Sequence, residues 1–210
     1  MPKPMPATQA EANADKIVET HPLAPFMPKH AKVLMMGTFP PPAQRWSESF
    51  YYPNFTNDMW RIMGLIFFND KDHFLDLAHK SIKADDIAAF LNHVGFALSD
   101  TVYKAHRLKG NAADQFLDIV EERNIRQLLD QLPDCRTLLT TGEKAMSIAC
   151  GQFGLTKIPK PSEYVEVEYR GQTLRLYRMP SSSRAYPLKL EKKTELYRRA
   201  LAPVFGLDEE

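Results

Sequence analysis

Strand-like runs alternate with helical stretches along this chain, and that alternation limits the folds open to it. "KVLMMG" (32–37), "GFALSD" (95–100) and "CRTLLTTG" (135–142) are short and apolar, each ending in small or polar residues. Such runs read as buried strands. "EYVEVEYRGQTLRLYRM" (163–179) alternates with a period of two around an Arg-Gly pair, the pattern of two strands joined by a turn. Between these runs lie stretches of helical periodicity. Strands interleaved with helices build an α/β sandwich around a mostly parallel sheet. A chain of 210 residues, 44% apolar, is long enough for one such domain with a sizeable core.

The helical stretches have legible boundaries. "TNDMWRIMGLIFF" (56–68) reads as a helix with Thr56 as its N-cap, and "KADDIAAFLNHV" (83–94) as another closed by Gly95. Residues 112–132 read as helical with a break near Asn124, "EKAMSIACGQF" (143–153) as a further helix, and residues 189–205 as the closing one. Residues 1–20 are rich in proline, alanine and charge. They read as a tail or appended helix, with a short helix from Gln9 to Glu19, and the domain is expected to run over residues 21–207.

In open α/β sheets ligands bind beyond the C-terminal ends of the strands. The exits here are "GTFPPPAQRW", "SDTVYKAHR", "TGEKA" and "PSSSRAYP". Gly37 permits close approach, and the prolines after Phe39 stiffen the first exit. Without a following Gly-Lys-Ser/Thr it is not a P-loop, and by itself it also fits a rigid connector. Tyr51 and Tyr52 lie in a Pro/Asn-rich segment before a helix, suited to stacking on a base or to anchoring the core. Asn57, near that helix's start, offers amide donors and a carbonyl acceptor, or a cap. Asp100 at a strand end fits a water-orienting or base-reading carboxylate as well as a turn residue. Lys104, His106, Arg107 and Lys109 form a basic cluster, either a solvated loop or a phosphate contact. Ser181, Ser182 and Ser183 put hydroxyls and free amides at the last strand's end, where backbone donors can grip phosphate.

Charge and cysteine usage exclude some classes. The net charge is +1, so any footprint for nucleic acid must be local. Two cysteines form no disulfide framework, and the six histidines show no ligand spacing, so no metal is expected. The N-terminus lacks the apolar core of a signal peptide, and no apolar run approaches the roughly 18 residues of a membrane helix. A cytoplasmic protein with no membrane partner is expected.

Taken in order, "HPLAPFMPKHAKVLMMGTFP", "YYPNFTNDMWRIMG", "GFALSDTV", "TGEKA" and "MPSSSRAYP" resemble the uracil-DNA glycosylase superfamily, from about His21 to Phe205. The nearest branches are the hypoxanthine-DNA glycosylases and the mismatch-specific (thymine/uracil) glycosylases. The resemblance implies a three-layer α/β/α sandwich around a four-stranded, mainly parallel sheet. It also implies an enzyme of base-excision repair that flips a deaminated base out of DNA and hydrolyses its N-glycosidic bond. DNA carrying a damaged or mismatched base is the implied partner, and a monomer is expected. No cofactor is implied, since the iron–sulfur branches need four cysteines.

Carried over residue by residue, Gly37, Thr38 and Phe39 form the first motif and line the base pocket. Other branches have a water-positioning Asn or Asp where this chain has Phe39, which can position no water. The hypoxanthine branch also lacks a polar residue there, and the resemblance then gives the water-orienting role to Asn57. Tyr52 matches the base-stacking aromatic, and Asp100 the base-reading position, from which it could also assist catalysis. Pro180, Ser181, Ser182 and Ser183 match the minor-groove and phosphate loop, and Arg184 is the candidate wedge for the vacated stack. The alternative is a catalytically silent member that recognises lesions or DNA structure without excision.

Overall fold

The computed structural model describes residues 17–109 and 113–207. Its main sheet holds five strands, against the four expected. Strands β2 (Val33–Gly37), β5 (Phe96–Asp100), β8 (Thr137–Thr140) and β10 (Gln172–Arg178) are parallel in the order β5-β2-β8-β10. β9 (Tyr164–Tyr169) joins the β10 edge antiparallel. Arg170 and Gly171 both take positive φ (55° and 73°) between these two strands, the mirror-image turn that suits strand twist. That hairpin supplies the fifth strand.

Alternation along β2 sorts the core into two layers. Val33 and Met35 face a cluster built with α1 (Met59–Phe68), α2 (Ala84–Val94) and α5 (Leu190–Phe205). Leu34 and Met36 face another, built with α3 (Ile125–Leu129) and α4 (Glu143–Gln152). Helices therefore cover both faces of a mixed sheet. α1 starts three residues later than its expected cap. Thr56 bonds Asn54 instead, and the Asn57 side chain accepts from the Met59 amide at 2.9 Å.

A second, antiparallel sheet stands where the sequence suggested loop and helix. It pairs β1 (Val18–Thr20), β6 (Val102–Arg107) and β7 (Leu117–Glu122) in the order β1-β6-β7. The cluster at Lys104–Lys109 is thus largely strand. Lys104 pairs with Glu121, and Arg107 with Glu19 and the Pro40 carbonyl. The helix expected over 112–132 survives as a single 3-10 turn at Asp114–Phe116 and as α3, which starts after Asn124; that side chain caps α3 by accepting from Gln127 N at 3.0 Å. Upstream, β-branched Ile119 and Val120 favour a pleated strand, and pairing with β6 overrides the helical reading. The helix expected from Gln9 to Glu19 falls mostly outside the described residues, and Val18–Thr20 is strand. A small hairpin of two-residue strands, β3 (Leu75–Asp76) and β4 (Ser81–Ile82), completes the described strands.

The strand ends are in register at the C-terminal edge of the sheet: Gly37 lies opposite Asp100, and Met36 opposite Thr140. No described helix is long and apolar enough to cross a membrane.

Candidate active site

A cavity of about 200 Å³ opens at that edge. Gly37, Thr38 and Phe39 line it from the exit of β2, Asp100 from the end of β5, Thr141 from the exit of β8, and Ser181–Ser183 from the exit of β10. The segment before α1 adds Tyr51, Tyr52, Asn54 and Asn57. The cavity thus brings together all the expected site residues except Pro180 and Arg184. Pro180 lines an adjoining groove of about 640 Å³, which shares Asp114, Thr141 and Ser181 with the first. The Arg184 side chain is 59% exposed, outside both cavities.

Gly37 is required by space. A Cβ there would lie 2.5 Å from Asp100 Oδ1, so any side chain would push the carboxylate aside. Asp100 is buried, and its Oδ2 lies 2.8 Å from His21 Nε2. His21 follows β1 and is itself buried. Its ring is edge-on to Phe39 (5.5 Å between centroids) and tilted against Tyr51 (6.0 Å). Its Nδ1 faces the Leu23 carbonyl and amide at 2.9 and 3.1 Å. A carboxylate offers only acceptors, so the close contact puts a proton on Nε2, donated to Asp100. Among the described residues Oδ1 has no hydrogen-bond partner.

Phe39 sits mostly within a small core with Val102, Ala105, Leu117 and Ile148. The Arg107 guanidinium lies over its ring at 5.7 Å. It therefore contributes an apolar wall to the cavity. Tyr52 takes φ 51°, a left-handed conformation rare for a bulky residue and costing about 1–3 kcal/mol. Its ring is edge-on to Trp60 at 6.1 Å, and its hydroxyl lies 3.3 Å from Thr141 Oγ1. Burial, then the nearby Asp100 charge, raises the pKa of the Tyr52 phenol well above its ordinary value. The ring thus meets the cavity as a neutral aromatic surface.

Asn57 holds α1 by its Oδ1, leaving one lone pair on that oxygen. Its amide NH2 has no partner among the described residues. The Met59 donor fixes which end of the amide is oxygen. Arg61, buried below, donates to the Asn57 and Phe55 carbonyls at 3.1 and 2.7 Å and holds this turn closed.

The serine loop is anchored by its carbonyls. The Pro180 carbonyl accepts from Tyr197 OH (2.8 Å), that of Ser182 from Asp58 N (2.9 Å), and that of Ser183 from Lys193 Nζ (2.7 Å). Ser181 Oγ and Ser183 Oγ accept from the Ser183 and Ala185 amides in local turns. The amides of Ser181, Ser182 and Arg184 have no partner among the described residues. Donors left free by a carbonyl-anchored loop suit an anion.

Two cavity residues, Asp114 and Thr141, and the buried partner of a third, His21, were not singled out in the sequence. His21 opened the first motif segment, but its contact with Asp100 spans 79 positions. Asp114 lies in the stretch read as helix, and its Oδ2 accepts from Thr38 Oγ1 at 2.7 Å. Burial raises the Asp114 pKa above the usual carboxylate range, against the Thr38 bond and the Lys144 charge, which lower it. Thr141 was visible only as part of the "TGEKA" exit. No group of three or more His, Cys, Asp and Glu side chains able to hold a metal occurs among the described residues.

No family model matches the sequence, and no curated protein matches it. Among solved structures the chain is similar to the solution structure of a protein from Methanosarcina acetivorans, provisionally described as a uracil DNA glycosylase. The two superpose with a TM-score of 0.56 and 17% identity over 88% of this chain and 99% of the other. They share a mixed α/β fold.

Proposed function

We propose that the protein is a monofunctional DNA glycosylase that hydrolyses the N-glycosidic bond of a flipped, deaminated base. The observation that carries this reading is the convergence of four strand exits and the Tyr52–Asn57 segment on one cavity. A base inside a duplex is unreachable, so a glycosylase needs a pocket for the extruded base beside a grip on the backbone. The cavity offers a neutral aromatic ring for stacking, Tyr52, and an acceptor at its floor, Asp100. The free amides of Ser181, Ser182 and Arg184 would hold a phosphate, with Pro180 to Ser183 along the minor groove and Arg184 as the wedge. In this reading Asn57 holds the attacking water on its second Oδ1 lone pair. As the glycosidic bond breaks, its electron pair leaves with the base and positive charge builds on the sugar carbon; water then adds there, and its proton passes through solvent to the departing base. The nearby carboxylate of Asp100 stabilises that charge while receiving the base. No step calls for a cofactor, and the partner is DNA with a damaged or mismatched base, bound by a single copy of the chain.

Release of free base from duplexes carrying uracil, hypoxanthine, xanthine or a G·T mismatch tests the reading. At least one should be cut, and Asn57→Ala should slow release by about 100-fold or more. No release from any lesion, or an Asn57→Ala rate equal to wild type, removes it. The buried, apolar Phe39 favours a second reading, a silent lesion-binding member. Lesion-selective binding with no release would support that instead.

A further inference from the structure

Asp100 lines the cavity and His21, buried outside its lining, holds it, yet no role for the histidine follows from the hydrolysis described above. One Asp100 oxygen is occupied by His21 Nε2 at 2.8 Å, and the other is pressed against Gly37 and has no partner among the described residues. The Asp100 side chain is 9% exposed and that of His21 fully buried, so of the two only Asp100 meets the cavity. The imidazole cannot swing away: Leu23 holds Nδ1, and Phe39 and Tyr51 hold its ring.

We propose that His21 is a positioning residue that holds Asp100 as a fixed acceptor for a ring N–H of the bound base. The inference rests on the reading that a flipped base enters this cavity. A carboxylate bonded on one oxygen by an imidazole N–H presents its second oxygen in one direction and offers no proton. It selects bases with an N–H beside a carbonyl, the lactam edge that deamination creates in uracil and hypoxanthine. It rejects bases that offer only a lone pair there, because two facing acceptors repel and stay unpaired. Tyr52 would supply stacking common to every base, and Asp100 the discrimination.

The test measures binding rather than turnover. Duplexes carry 2′-fluoro nucleotides, which resist glycosidic cleavage because fluorine disfavours positive charge on the sugar. Uracil is compared with 3-methyluracil, and hypoxanthine with 1-methylhypoxanthine, so that a methyl replaces the N–H. Wild type should bind an N–H base about tenfold or more tighter than its methylated partner, the scale of one hydrogen bond to a charged group. The preference should shrink severalfold in Asp100→Asn and His21→Leu. His21→Gln, which keeps a donor at the Nε2 position, should recover part of it. A purely structural role for His21 would weaken both ligands equally and leave the ratio unchanged. Where His21→Leu fails to fold, the wild-type ratio and Asp100→Asn still decide. Equal binding of both bases by wild type, or an unchanged ratio in Asp100→Asn, overturns the proposal whether or not base is released. A preference without base release sustains it and removes only the glycosylase reading.

Discussion

Asp114 and Asp100 line the same cavity, one held by a hydroxyl and the other by an imidazole. Burial of Asp114 has a thermodynamic consequence. Burial raises the Asp114 pKa, so the folded state binds a proton that the unfolded chain has already released. Below the ordinary carboxylate pKa both states are protonated, and Asp114 carries no ionisation cost. As pH rises from that value through the raised one, ionisation costs stability, and above it the cost levels off. Asn in place of Asp114 keeps an acceptor for Thr38 without the charge. Asp114→Asn should therefore gain stability relative to wild type between about pH 4 and about pH 8. Urea unfolding at the two pH values checks this, and an equal difference at both would refute it. The two carboxylates also differ in how visible they were. Asp100 closes an apolar strand, where a polar residue stands out. Asp114 sits beside alternating residues that also fit a helix, and only the pairing of β6 with β7 brings it to the cavity.

Between elements, the serine loop, α1 and α5 meet at one buried ion pair. Lys193 is fully buried on α5, its Nζ 2.9 Å from Asp58 Oδ2 and 2.7 Å from the Ser183 carbonyl. Asp58 precedes α1, its amide bonds the Ser182 carbonyl, and Arg184 approaches its other oxygen at 3.5 Å. One carboxylate therefore sets the start of α1, beside Asn57, and the course of the loop. Removing the cation leaves that carboxylate buried and poorly compensated, at a cost of about 3–5 kcal/mol. Lys193→Met should lose stability on that scale and speed proteolysis within 180–186. The double variant Asp58→Asn, Lys193→Met should lose markedly less. Denaturant unfolding with limited proteolysis measures both effects; equal losses in the single and double variants would mean that the pair is not the clamp. Helix α5 was legible from its periodicity, as were α2, α4 and the parallel strands, because their patterns are local. A lysine inside an apolar stripe looks from sequence like a solvated one, since the partner that holds it is 135 positions away. The antiparallel sheet escaped for the same reason. β1, β6 and β7 are short and half-exposed, and pairing rather than pattern defines them.

At the scale of the whole molecule, a net charge of +1 leaves little long-range attraction for a polyanion. Many cations are also engaged internally: Lys104 with Glu121, Arg107 with Glu19, Arg175 with Glu166 and Arg178 with Glu143. Near the cavity the exposed guanidinium groups are those of Arg45, which lines it, and Arg184. The loop's free amides would hold phosphate as neutral donors and release few counterions. A duplex bound this way should show a shallow salt dependence, because the slope of log K against log salt counts the phosphates neutralised. We expect a slope between roughly −1 and −4, with Arg184→Ala reducing its magnitude by about one. Anisotropy titrations of lesion duplex over a series of salt concentrations measure it. A slope of about −6 or steeper, unchanged by Arg184→Ala, would locate the DNA on a broad cationic face away from the serine loop.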